Sequence, residues 1–141
     1  MNIVLDASAA IHAATEDTFS DMILDVVEQA ESILAPELYY AEVSSGLLKH
    51  VKAGHLSTAA AIDKFEQVTK LVTDFRPLSE LSHQAIHEAH RLGHSVYDMY
   101  YLVLARNCGA HLVSLDKRLL ALARQENFRY IQFEEIDWDW E

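Results

Sequence analysis

Cysteine and glycine are scarce in this chain, and basic residues are outnumbered. Its one cysteine, Cys108, cannot form an internal disulfide, and its place near the end of an apolar helical stretch predicts a buried, inert thiol rather than a nucleophile. The four glycines make no Gly-rich phosphate loop and no dinucleotide fingerprint. No Ser/His/Asp set has a recognisable nucleophile elbow. No apolar run approaches the roughly 18 residues of a membrane span. Met1-Asn2 lead directly into strand-like residues instead of a charged segment and signal core. The expectation is a cytoplasmic protein without membrane association. Eleven Lys and Arg against 22 Asp and Glu give a formal charge of −11, which argues at first against a nucleic-acid partner. Salt limits exposed charges to a range of about 8 Å, so local arrangement outweighs the total. Much of the acidity also lies in Glu134, Glu135, Asp137, Asp139 and Glu141.

Half of the 141 residues are apolar, enough for a sizeable core in one domain covering residues 1–141. Strand-like and helix-like segments alternate along it. Asn2–Leu5 reads as a strand, about Thr18–Gln29 as an amphipathic helix and Ser32–Ala35 as a strand. Pro36 is suited to the first position of a helix reaching about Lys52 and closed by Gly54. Ser57 caps another helix that turns Ala59–Ala61, Phe65, Val68 and Leu71 toward the core. Val72–Leu78 holds a third strand whose extent Pro77 blurs. Helices resume at Ser79, break at Gly93, restart at Ser95 and stop at Gly109. Leu112–Leu115 is a strand, Lys117–Arg124 a helix and Arg129–Phe133 a last strand. Trp138 and Trp140, set among acids, suggest a loosely docked tail. The alternation implies a three-layer α/β/α domain with a mostly parallel central sheet.

Four acids interrupt apolar surroundings. Asp6 ends Ile3-Val4-Leu5, and Asp116 follows Leu112-Val113-Ser114-Leu115. Parallel strands bring their carboxyl ends to one sheet edge, so these two are expected to be neighbours. Glu42 lies at helical spacing between Leu38 and Gly46 and beside Tyr39, Val43 and Leu47. Asp98 shares a stripe with Tyr101, Leu102 and Ala105. Each has a plain alternative. Asp6 can close a turn, Asp98 follows Ser95 at capping-box spacing, and Asp116 can cap the next helix. Burying an unpaired carboxylate costs several kcal/mol, however, against about 1 kcal/mol gained from a cap. Four carboxylates at one edge would raise one another's pKa values unless a cation joined them, and magnesium or manganese suits such oxygens.

The segments Val4-Leu5-Asp6-Ala7-Ser8-Ala9, Ala41-Glu42-Val43, Ser95 through Ala105 and Leu112 through Lys117 together resemble the PIN-domain nucleases, most closely the VapC-type toxins of prokaryotic toxin–antitoxin pairs. The resemblance spans nearly the whole chain. It implies endonucleolytic cleavage of RNA by metal-assisted hydrolysis, with Asp6, Asp98 and Asp116 binding Mg2+ or Mn2+ and Glu42 completing the cluster or orienting water. It also implies a small antitoxin covering the acidic groove, and a homodimer or toxin–antitoxin hetero-oligomer. Met99 stands where a small residue is common after the third acid. The different readings kept open are an RNA-processing nuclease without an antitoxin and a catalytically silent RNA- or protein-binding module.

Around this core, Ser8 and Ser114 can bond carboxylates or water, or serve local backbone groups. Lys49, two turns after Glu42, and Lys117, next to Asp116, are candidates for phosphate contact, as is the adjoining Arg118. His12 follows the first strand and reads as a surface residue. His83, His87, His90 and His94 form an i, i+4, i+7, i+11 stripe, a spacing that could bind a transition metal. The stripe lies opposite Leu81, Ala85, Ala89 and Leu92, which makes it the solvent face. Aspartate-nucleophile phosphatases need a second aspartate two residues after the first, where this chain has Ser8.

Overall fold

The computed structural model describes residues 1–15 and 18–133. Strands β1 (Asn2–Leu5), β2 (Ser32–Pro36), β3 (Asp74–Arg76) and β4 (His111–Val113) form one sheet in the order β3-β2-β1-β4, with every pairing parallel. Ile3 faces Ile33 on one side and His111 on the other. A strand paired on both edges and covered on both faces has no polar side, which explains the unbroken Ile3-Val4-Leu5 run, none of it exposed.

Parallel neighbours need crossovers, and helices supply them. They are α1 (Ala7–Ala14), α2 (Ser20–Gln29), α3 (Leu38–Lys52), α4 (Thr58–Leu71), α5 (Ser82–Leu92), α6 (Val96–Cys108) and α7 (Lys117–Gln125). Helix α6 packs on β1 and β2 and carries α5 on its back, while α1 packs against α2, α3 and α4. The chain moves from β1 to β2 and β3 on one side of β1, then returns on its other side as β4. The carboxyl ends of β1 and β4 therefore flank the point where strand order reverses, the usual ligand crevice of open parallel sheets.

The expected α/β architecture is present, with several local differences. Helix α1 was not anticipated. Asp6 starts it by accepting the Ala9 N–H, and alanine, the best helix former, fills most of it. Pro36 ends β2 instead of opening α3, and α2 starts at Ser20 instead of Thr18. Ser57 caps α4 as expected, but Ala59 is exposed while Ala61 and Val68 are buried. The third strand shrinks to Asp74–Arg76, because Pro77 has no N–H to continue the ladder, and a 3-10 turn at Leu78–Glu80 precedes α5. Strand β4 stops at Val113, so Ser114 and Leu115 leave the sheet. Arg129–Phe133 is not a strand: it meets short β4 through a single parallel bridge, Leu112 to Tyr130. Cys108 is free but half-buried. Met99 is fully buried. The tail around Trp138 and Trp140 lies outside the described residues. Among the described residues no helix is long and apolar enough to cross a membrane.

Candidate active site

Asp6 is the most buried of the four acids, 5% exposed. Its backbone N–H still belongs to the sheet, bonding the Val113 carbonyl at 3.1 Å, while its side chain caps α1. Oδ1 accepts the Ala9 N–H at 3.0 Å and the Ser8 hydroxyl at 2.7 Å. Oδ2 accepts the Ser114 hydroxyl. The two serine oxygens also accept backbone N–H groups, Ser8 from Leu115 at 3.1 Å and Ser114 from Asp116 at 3.0 Å. Both alternatives for these serines thus hold together. They bond the carboxylate and satisfy the backbone where β4 turns into α7.

Asp116 caps α7 by accepting the N–H groups of Arg118 and Leu119, 3.0 and 3.2 Å away. From the opposite wall, Glu42 on α3 accepts the Tyr101 hydroxyl at 2.7 Å. Asp98 lies in the first turn of α6, below the Ser95 cap. All four acids, with Ser8, Lys49 and Tyr101, line one cavity of about 290 Å³. Gly46 narrows it: a Cβ there would lie 2.1 Å from Ile11 Cδ1, so α1 and α3 approach closely where both border the cavity. A larger cavity of about 610 Å³, bordered by α1, α2 and α4, has Asp21 as its one ionisable wall residue among those described.

Charge is crowded here. Burial pushes Asp6 up to about 6 against the bonds from Ser114, Ala9 and Ser8, and the Asp116 charge adds to the rise. Burial also raises Glu42, opposed by the Tyr101 hydroxyl and reinforced by Asp98 and Asp116. Asp98 is raised by burial and by Asp116, with His94 and Arg118 pulling the other way. A donor set made only of carboxylate and hydroxyl oxygens, in which three acids resist ionising, fits a hard divalent cation. In this geometry no three His, Cys, Asp or Glu side chains among the described residues are close enough to hold one ion directly.

Lys49 is exposed and stands on the cavity wall beside Glu42. Lys117 is exposed in the first turn of α7 and does not line the cavity. His12 packs edge-on against Phe19 with ring centroids 5.8 Å apart and is also absent from the wall.

The histidine stripe is divided. His83, His87 and His90 are exposed on α5, whereas His94 is not on the solvent face. Gly93 takes a left-handed conformation with φ 62° and ends the helix before it. His94 is thereby carried beside Asp98, its Nδ1 lying 3.4 Å from Oδ2 with 12% of the side chain exposed. Neither buried ring nitrogen has a hydrogen-bond partner among the described residues. Tyr101 and His94 are the site neighbours that sequence reasoning passed over, one as core and the other as surface.

Comparison with known proteins agrees with the fold. The PIN domain family model matches residues 3–125. Ribonuclease VapC3 of Pyrobaculum aerophilum is 30% identical over 121 residues, covering 84% of this chain and 92% of that protein. The crystal structure of PAE2754 from Pyrobaculum aerophilum superposes with a TM-score of 0.69 at 23% identity, over 92% of this chain and 83% of that one. VapBC2 from Rickettsia felis, in a crystal structure bound to a DNA fragment from their promoter, gives 0.66 at 14% identity, over 93% and 98%. With a family match across most of its length and a VapC relative of nearly equal span, this chain belongs to the PIN-domain family and is VapC-like within it.

Proposed function

We propose that the protein is a divalent-metal-dependent endoribonuclease, the toxin of a VapC-like toxin–antitoxin pair. The observation that carries this reading is the single cavity at the carboxyl edge of the parallel sheet, walled by Asp6, Glu42, Asp98 and Asp116. The VapC3 relative, named a ribonuclease, supports RNA as the substrate. The likeness to VapBC2 supports an antitoxin partner.

In this reading Asp6, Asp98 and Asp116 would hold Mg2+ or Mn2+, directly or through water. Glu42 completes the set. A cation held there would supply the chemistry of lowering the pKa of a water and offsetting charge on the scissile phosphate. The chain's own residues prepare the place. Ser8 and Ser114 fix both oxygens of Asp6, the α7 cap fixes Asp116, and Lys49 positions a phosphate at the rim. Lys117 extends that contact along the strand. A net charge of −11 does not prevent this, because the cation and Lys49 supply positive charge where the phosphate lies.

The test is RNA-end mapping after brief expression of wild type and Asp6→Asn, paired with cleavage by purified protein with and without a chelator. New ends in the wild type alone, lost on chelation, are expected. Identical ends from both proteins would exclude a role for the acidic cavity.

A further inference from the structure

Glu42 is the acid with the longest side chain, and one hydrogen bond holds it. Asp6 accepts three donors and Asp116 two backbone N–H groups. Among the described residues Glu42 accepts only the Tyr101 hydroxyl, on Oε1 at 2.7 Å, which leaves Oε2 for the cavity. Tyr101 is 1% exposed and lies one helical turn after Asp98 on α6. One helix therefore contributes an acid and also the anchor of the acid facing it on α3. A phenylalanine would fill the same core volume, so packing alone does not account for a hydroxyl here.

The geometry points to Tyr101 as a positioning residue that fixes the Glu42 carboxylate for the divalent cation. This rests on the metal-site reading of the four acids. Hydrogen-bond partners that orient ligating carboxylates typically change metal affinity or activity by about 10- to 100-fold when removed.

The experiment compares wild type, Tyr101→Phe, Glu42→Ala and the double variant. Mn2+ binding is read by calorimetry, RNA cleavage as kcat and KM, and folding by thermal melting. Tyr101→Phe is expected to bind Mn2+ about 10-fold more weakly or worse and to lower kcat comparably. Its KM for RNA should stay within about twofold, since Tyr101 touches Glu42 rather than substrate. In the Glu42→Ala background the same substitution should change nothing further. The Cζ resonance of Tyr101 in otherwise native protein, shifted by Glu42→Ala, gives a readout that requires no Tyr101 variant. Wild-type Mn2+ affinity in Tyr101→Phe, an equal loss in the Glu42→Ala background or an unmoved Cζ resonance would each overturn the role. A wild type that binds no Mn2+ would overturn the metal-site reading itself, and the role with it. The two failures are therefore told apart by the wild-type titration.

Discussion

Ser114 donates its hydroxyl to Asp6 Oδ2 across the reversal point of the sheet, joining residues 108 positions apart in sequence. The Ser114 hydroxyl oxygen also accepts the Asp116 N–H. Ser114→Ala removes donor and acceptor together in a fully buried place. We expect it to destabilise the fold by about 1–3 kcal/mol, the cost of leaving buried polar groups unpaired. Urea unfolding measures this, and an unchanged midpoint and slope would show that water or neighbouring groups replace the hydroxyl.

The buried Asp6 sets a pH dependence in metal-free protein. Its folded value near 6 lies above the ordinary aspartate value of 3.8. As pH rises from about 4 to about 6, the unfolded chain loses a proton that the folded one retains, so stability falls, by on the order of 3 kcal/mol. Glu88 acts oppositely. The Arg91 hydrogen bond holds its carboxylate below the usual range, so its contribution is present at neutral pH and lost as acid protonates it. The difference between wild type and Asp6→Asn in a chelator isolates the Asp6 component. The variant should become relatively more stable as pH rises toward 7, and parallel curves would contradict the assigned shift.

Mg2+ or Mn2+ should raise the melting temperature, and more at pH 7 than at pH 5, because protons and cations compete for the same carboxylates. At a metal concentration 100 times the dissociation constant, the gain is about 2.7 kcal/mol. Asp98→Asn should remain folded and lose both this gain and RNA cleavage. Retention of either by the variant would remove Asp98 from the metal site.

Lys49 offers a separate test of how an acidic protein holds an acidic substrate. Lys49→Ala should weaken RNA binding alike across sequences and reduce the slope of log affinity against log salt by about 0.7, the single-strand value for one phosphate contact. Filter binding in Ca2+ at several salt concentrations would measure it. An unaltered slope would put the RNA on another surface.

How much could be read beforehand differs by element, for physical reasons. Strands β1, β2 and β4 show in the sequence because strands buried on both faces are nearly all apolar. Helix α1 did not, since Ala7-Ser8-Ala9-Ala10 has no polar face to mark a helical period. Arg129–Phe133 carries the strand-favouring Tyr130, Ile131 and Phe133, yet it forms one bridge with three-residue β4. Glu42 and Asp98 could be found because a carboxylate within an apolar stripe is conspicuous. Tyr101 could not: an aromatic ring in such a stripe looks like core, and its partner is on another helix. His94 continued the periodic stripe of its neighbours, and only the left-handed turn at Gly93 separates it from them.

The serine links around Asp6 also set a schedule. Asp6 and Ser8 are translated before Ser114 and Asp116, more than 100 positions earlier in the chain. A nascent chain ending before Ser114 has one oxygen of Asp6 without its buried donor and lacks the fourth acid altogether. The cavity has no half-built version that resembles the finished one. On the nuclease reading, translation acts as a safety interval: each new molecule is expected to stay inert until Asp116 has been added, and a polypeptide cut off before it does no cutting.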